Sequence, residues 1–341
     1  MNPRTTRRPR VLHLQFSDPS GYPPIHHATR LLTEAGFDVS LLSLRAPGQA
    51  RSMAFPTIDH ATMRYVGDLA RPSAALFARF LGAAIAEAMR SRPRWIYASD
   101  AAATPAALAV QRALGTPIVY HEHDSPGAAR SAFTRLVRAT RRRVARTMTL
   151  GILPSVGRAE QFAAETDTQR PIHVAWNSPP RIEVGPARSA SLDRPMRLLY
   201  QGTLVPARLP VALIDALAAV DGVELHVCGY ETQDAIGHVD ALRARATALG
   251  VSQRFVFHGA LPERSAMLAL ARTCDVGLAM LQADDDVNVR FMLGASNKPF
   301  DYLSQGLPLL VSDRPDWRAT FVDSSLGRAA DLGDVARLAA A

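Results

Sequence analysis

The chain alternates short apolar runs with longer helix-patterned stretches, abandons the pattern between residues 177 and 195, and then starts it again. Residues 11–16 form the first apolar run, residues 25–35 carry a helical pattern stopped by Gly36, and residues 38–44 form a second run, which is a β-α-β opening. Further runs at residues 95–98, 118–120 and 150–154 are separated by alanine-rich helical stretches. Strands that alternate with helices predict a parallel sheet covered on both faces, because each connection has to cross back over the sheet. Residues 177–195 turn to Asn-Ser-Pro-Pro, Gly-Pro and Ser-Ala-Ser, the chemistry of a linker. The second series places strands at 196–200 (ending at Gln201-Gly202), 223–228 (ending at Gly229), 254–258 (closed by Gly259), 275–281 and 307–312. Helices fall between them at 206–220, 234–249, 263–273 and 299–305. The expectation is two tandem, doubly wound, Rossmann-like α/β domains, residues 1–180 and 196–341, joined by a linker at 181–195 and facing across a cleft. A ligand would lie in that cleft, at the carboxyl ends of both sheets.

With 341 residues, 48% of them apolar, the chain has material for two cores. Cys228 and Cys274 each lie in an apolar run, which suits reduced core thiols of a cytoplasmic protein and cannot supply a metal quartet. The longest apolar stretches, 101–110 and 307–311, fall far short of spanning a bilayer. The Arg7-Arg8 pair precedes a strand rather than an export signal, and no short fixed repeat points to a solenoid. The net charge of +8 is unevenly shared: residues 1–190 hold 25 Arg against 13 acids, or +12, while residues 191–341 hold 13 Arg and one Lys against 18 acids, or −4. The first half is therefore expected to meet an anionic partner such as a membrane surface, a phosphorylated lipid or nucleic acid.

All but one of the 39 basic residues are arginine. The exception, Lys298, follows a glycine turn in Gly294-Ala-Ser-Asn-Lys-Pro-Phe-Asp-Tyr-Leu-Ser-Gln-Gly306. A compact ammonium with three donors, set where Pro299 opens a helix and leaves amides free, suits a phosphate group; a solvated position of no consequence is the plain alternative.

Several segments in order carry a resemblance: Leu199-Tyr-Gln-Gly-Thr-Leu204 with Arg208, Leu225-His-Val-Cys-Gly229, Val256-Phe-His-Gly-Ala-Leu-Pro262, Asp275-Val-Gly-Leu-Ala279, and Ser296-Asn-Lys-Pro-Phe-Asp-Tyr302 with Gly306-Leu-Pro308. Together they resemble glycosyltransferase family 4 of the GT-B architecture. The first half is similar through Tyr97-Ala-Ser-Asp100, Tyr120-His-Glu-His-Asp124 and Asn177. The resemblance covers nearly the whole chain. It implies transfer of a sugar from a nucleotide-sugar donor to a glycan, lipid-linked or small-molecule acceptor, with retention of configuration, no required metal or other cofactor, and a place in surface polysaccharide, lipid-glycan or natural-product glycosylation.

By this resemblance Arg208 and Lys298 stabilise the departing diphosphate, where negative charge builds as the sugar leaves. Asp301 matches the second acid of the family's paired-acid motif and would bind the ribose hydroxyls; eight residues earlier, where the first acid belongs, stands Leu293. Gly202, Gly229, His258, Ser296 and Asn297 are the remaining donor-side candidates, and Gly21 would let the first loop approach the donor phosphates. His123 aligns with the histidine of the family's catalytic loop, able to bond a sugar hydroxyl or act as a general base. Asp100 and Asp124 are the acceptor-side candidates. His121 and His123 are expected to point to opposite sides of an extended segment, and His26 and His27 to be ordinary helix residues.

Two constellations compete. Asp284-Asp285-Asp286 has the spacing of a divalent-cation site, against which a solvated acidic loop is set; chelator-sensitive activity would decide. In residues 133–148, Phe133, Val137, Thr140 and Val144 fall on one helical face and Arg135, Arg138, Arg142 and Arg146 on the other, flanked by Arg141 and Arg143. That helix is a candidate for peripheral contact with an anionic membrane; nucleic acid fits less well, since the basic residues lack interleaved aromatics. A nucleotide-sugar epimerase of similar fold and a binding protein that has lost its chemistry remain as other classes. The chain stops at Ala341, where relatives continue with helices returning to the first domain, so a shortened end is expected.

Overall fold

The computed structural model describes residues 8–70, 73–128, 130–188, 193–281, 286–331 and 334–340. The chain divides into two compact units, Met1–Trp176 and Asn177–Ala341. The first is built on seven parallel strands, β1 (Arg10–Gln15), β2 (Asp38–Arg45), β3 (Ala61–Asp68), β4 (Trp95–Ser99), β5 (Ile118–His121), β6 (Leu150–Leu153) and β7 (Ile172–Val174), in the order β3-β2-β1-β4-β5-β6-β7. The second has six, β8 (Met196–Leu204), β9 (Val223–Glu231), β10 (Phe255–Phe257), β11 (Val276–Ala279), β12 (Leu309–Ser312) and β13 (Gly327–Ala330), in the order β10-β9-β8-β11-β12-β13. Both sheets are doubly wound, and each reverses its strand order once, between β1 and β4 and between β8 and β11. Outside the carboxyl ends at such a reversal the flanking loops part, and that is where open α/β sheets bind ligands.

Each sheet is buried on both faces, so its central strands are apolar almost throughout. Leu12 and Leu14 of β1 pack with Phe80, Ala84 and Ala88 of the helix Ala74–Ser91. Val11 packs on the other face with Val39 and Tyr97. In the second unit Tyr200 and Leu204 join one core, while Leu199 joins another with Tyr302, Trp317 and Phe321. Each large side chain buried in this way contributes roughly 1.5–3 kcal/mol. Cys228 and Cys274 are free thiols within these layers. Among the described residues no helix is long and apolar enough to cross a membrane.

Three expectations change. First, β8 and β9 do not end at Gly202 and Gly229 but run two residues past each, with the two glycines paired in register. Second, residues 181–188 lie along the second unit: Gly185 N–H donates to Ser304 O (2.8 Å), Gln305 Nε2 to Glu183 O (2.6 Å), and Arg188 and Arg194 pair with Asp275. Third, Arg141 does not flank the outer face of the helix Ala132–Thr147 but is buried, its guanidinium gripping Glu122 through Nε (2.6 Å) and Nη2 (2.7 Å) and reaching Glu165 (2.7 Å). Of the four outward arginines, Arg138 caps Gly127 O (2.9 Å) and Arg146 bonds Thr166 O (3.1 Å), whereas Arg135 and Arg142 extend from an exposed surface.

Candidate active site

In the first unit the predicted residues gather at the carboxyl ends of β1, β4 and β5. Asp100 follows β4 with a left-handed backbone (φ 63°), which turns its carboxylate back over the strand ends. Its Oδ1 accepts the backbone N–H groups of His123 (2.9 Å) and Asp124 (3.3 Å), and its Oδ2 accepts Gln15 Nε2 (3.2 Å). Burial, reinforced by the Asp124 charge, pushes the Asp100 carboxyl up to about 7. Asp124 reaches outward, paired on one side with Arg158 (3.2 Å). Gly21 lies in the turn closed by Tyr22 N–H to Pro19 O (2.9 Å), without a left-handed backbone. His26 is a helix residue whose Nε2 bonds Pro19 O (2.8 Å).

His121 and His123 do not diverge. Their rings stack with centroids 3.8 Å apart, because residues two apart on an extended segment share a face and the expected divergence misread that period. Behind them His121 Nδ1 bonds Tyr97 OH (2.6 Å), Tyr97 meets His13 edge-on at 4.7 Å, and His13 Nε2 bonds Ser99 Oγ (2.8 Å). The sequence reading missed His13; it sits in an apolar strand, where a histidine is visible but its neighbours are not. Burial first, and then His13 and Arg158, pushes His123 down to about 3, and both its ring nitrogens lack a hydrogen-bond partner among the described residues. The ring is therefore neutral throughout the physiological range and too weak a base to hold a hydroxyl proton. What it offers a ligand is one N–H donor and one nitrogen acceptor.

In the second unit the site is built on two glycines. A Cβ on Gly229 would fall 1.8 Å from Gly202 O, and one on Gly202 would fall 3.0 Å from Lys298 Cε; both glycines have positive φ (144° and 119°). The side-chain-free patch they leave is where the Lys298 stem lies. Lys298 opens the short helix Lys298–Ser304, whose Tyr302 hydroxyl accepts Gln201 N–H (2.9 Å), fixing the helix against the end of β8. Lys298 Nζ stands 5.5 Å from the centre of the Tyr200 ring and forms no hydrogen bond or ion pair among the described residues. Burial and the nearby Arg208 push its ammonium down to about 7, against a smaller pull from Asp301. Arg208 is steadied by Thr203 Oγ1 (2.8 Å).

Asp301 is only 2% exposed, and both of its oxygens are engaged: Arg264 donates to Oδ1 (2.6 Å) and Oδ2 (3.2 Å), and Gln201 Nε2 donates to Oδ2 (3.0 Å). Arg264 also holds Glu183, so the carboxylate belongs to a packed ion cluster. Leu293 packs against the apolar core containing Met292 and Tyr302. Gly294 O accepts Asn177 N–H (2.8 Å) and Ala295 O accepts Asn177 Nδ2 (2.7 Å), pinning the loop that carries Ser296 and Asn297; Asn297 Oδ1 is buried without a partner among the described residues. His258 stacks on His226, with Nε2 2.9 Å from His226 Nδ1, and His226 in turn meets Glu224 at 3.0 Å. Asp284 and Asp285 lie outside the described residues, and Asp286 caps the turn Val287–Arg290 through Asn288 N–H (2.7 Å).

Residues 25–178 match the family model of Glycosyltransferase Family 4. No curated protein matches the chain in sequence. In fold the chain is similar to sucrose-phosphate synthase from Thermosynechococcus elongatus, at 13% identity and TM-score 0.71 over 98% of this chain and 88% of that one. It is similar too to the Anabaena protein HepE solved with UDP and glucose, at 18% identity and TM-score 0.65 over 97% and 88%. A third likeness is α,α-trehalose-phosphate synthase from Burkholderia vietnamiensis, at 12% identity and TM-score 0.63 over 97% and 90%. The two parallel-sheet domains therefore have the GT-B fold of glycosyltransferases.

Proposed function

From the family 4 match of residues 25–178, we propose that this protein is a retaining glycosyltransferase that moves a sugar from a nucleotide-sugar donor to an acceptor hydroxyl. The observation that carries the reading is Lys298: an ammonium without a counter-ion among the described residues, its stem laid over Gly202, which Gly229 backs in the next strand. A half-buried cation with no counter-ion among the described residues is costly to keep, and a diphosphate would satisfy it. In the reaction the bond from the anomeric carbon to the diphosphate oxygen breaks with its electrons going to the diphosphate, the acceptor oxygen bonds the same carbon, and the hydroxyl proton passes to the departing phosphate. Lys298 and Arg208 take the charge that develops on the leaving group. His123, neutral and unpartnered, binds a sugar hydroxyl. Asp124, whose side chain is 66% exposed, faces the acceptor. Asp301 reaches a ribose only if Arg264 yields, so its role in donor binding is secondary to its role in the ion cluster.

The Anabaena protein was solved with UDP and glucose, which supports placing UDP-sugars first in a donor panel. The test is thermal stabilisation by UDP-, GDP-, dTDP- and ADP-sugars, repeated with Lys298→Ala, followed by assay of UDP release and transfer. Stabilisation by none of them would end the proposal. Conversion of free donor without an acceptor would favour the epimerase, and binding without turnover a protein that has lost its chemistry.

A lipid-linked acceptor and a cytoplasmic, membrane-peripheral location are supported by the exposed Arg135 and Arg142 beside Phe133 and Leu136, 38% and 43% exposed on the same helix. Sedimentation with phosphatidylglycerol vesicles but not phosphatidylcholine vesicles, lost in Arg135→Glu/Arg142→Glu, is the expected result.

A further inference from the structure

A catalytic histidine is ordinarily aimed by a hydrogen bond to one of its ring nitrogens, yet His123 has none among the described residues. Its peptide, by contrast, is held from two sides. On one side the His123 and Asp124 N–H groups converge on Asp100 Oδ1 (2.9 and 3.3 Å). Asp100 is itself fixed by Gln15 Nε2 (3.2 Å) and by its own N–H to His121 O (2.8 Å). On the other side Arg158 Nη1 donates to His123 O and to Asp124 Oδ1 (3.2 Å). Arg158 is 1% exposed and rises from the first turn of the helix Val156–Thr166, which Ser155 caps.

We propose that Arg158 is a positioning residue: acting with Asp100 across the His123 peptide, it aims the His123 ring, which is 1% exposed, without bonding either of its ring nitrogens. Burying a guanidinium costs several kcal/mol, and a main-chain carbonyl could be satisfied by a neutral donor at far less cost. What arginine adds is an amino group, Nη1, held in the plane of a rigid guanidinium, whose two N–H donors reach the His123 carbonyl and the Asp124 carboxylate (3.2 Å) at once and so fix the peptide's rotation as well as its place. With the peptide fixed, the tilted ring of His121 (3.8 Å) and the edge of Tyr22 (5.2 Å) restrict the turning of the His123 ring. The sequence shows none of this, because Arg158 is separated from His123 by a helix and a strand and looks like one more arginine of a basic lobe.

The inference rests on the glycosyltransferase reading for its kinetic arm and on geometry alone for its spectroscopic arm. Arg158→Met, Arg158→Lys and Asp100→Asn would be compared with the wild type in melting temperature, UDP-sugar affinity by calorimetry, rate of UDP release, and the ring signals of His123 in two-dimensional 1H–15N spectra. Arg158→Met is expected to lower turnover about 100-fold, the scale of an ångström misplacement, with donor affinity within about twofold. The His123 ring signals should shift or broaden, and Arg158→Lys should recover part of both effects. If Arg158→Met does not fold, Arg158→Lys and Asp100→Asn carry the same comparison. Unchanged His123 signals in a folded variant, or turnover and donor affinity falling together, would overturn it. A wild type that neither binds nor turns over any UDP-sugar defeats the glycosyltransferase reading, and the ring signals still decide whether Arg158 aims His123.

Discussion

The two units place their candidate residues at the same point of the same topology and prepare them in opposite ways. In the first, at the ends of β1, β4 and β5, burial has removed charge: His13 and His123 are pushed down to about 3, His121 is also lowered, and the peptide carrying His123 is clamped. In the second, at the end of β8, a half-buried lysine lies over Gly202 without a counter-ion among the described residues. The difference teaches that the first site is part of its domain's architecture, whereas the second is an electrostatic socket around an amine that no described side chain neutralises.

The hardest blow to this contrast would come from the first unit's ion cluster. Glu122 is 1% exposed, grips Arg141 by two bonds and accepts Tyr120 OH, directly beside His123. Glu122→Ala leaves the buried Arg141 guanidinium with Glu165 alone and should cost up to about 3–5 kcal/mol of stability, read as a large fall in melting temperature. A variant that melts like the wild type would show that the first site is not held by its packing. Lys298→Ala should do the reverse. Removing a charge that the fold penalises leaves melting temperature equal or higher, while transfer falls about 100- to 1000-fold, or about 2.7–4 kcal/mol of barrier, with donor affinity changed much less. Equal losses in rate and affinity would make Lys298 a binding residue only.

How much of this was legible follows from how each feature is encoded. The double α/β alternation is written in apolar periodicity, so both sheets could be read directly, whereas the candidate donor-side residues came from the resemblance to a family. β3, β7 and β13 could not: β3 and β13 are edge strands that mix polar and small residues, and β7 has three residues. Lys298 stood out as a compositional exception. The engagement of Asp301 by Arg264, and the pairing of Gly202 with Gly229, depend on contacts across tens of residues that no local pattern carries. The His121–His123 stack was readable from a period of two, and the expectation of divergence misapplied that period.

His123 gives the next test of the comparison. A ring held neutral should contribute hydrogen bonds and no titration, so His123→Gln, which keeps a donor and an acceptor, should retain more activity than His123→Ala, whose turnover should fall about 100-fold. The wild-type pH–rate profile should show no limb that His123→Gln abolishes. A limb between pH 6 and 7 that disappears in that variant would mean the ring titrates, and the first site would be as charge-driven as the second.

The smallest expected effect is the most direct reading of the socket. Lys298 is pushed down to about 7, so in the free protein at pH 8 its amine is mostly neutral. A neighbouring diphosphate favours the charged form and raises that pKa. Binding a UDP-sugar at pH 8 should therefore draw close to one proton from solution, and binding at pH 6, where the amine is already charged, almost none. The donor's diphosphate diester has no proton of its own to exchange in this range, and calorimetry in buffers of different ionisation enthalpy counts the protons taken up. Asp100 is also held at about 7, so a protein-wide proton uptake could arise in either unit. Lys298→Ala separates the two: the uptake vanishes if it belongs to the donor socket and persists if it belongs to Asp100, in which case the poised charge lies in the first unit and the contrast between the two sites is reversed.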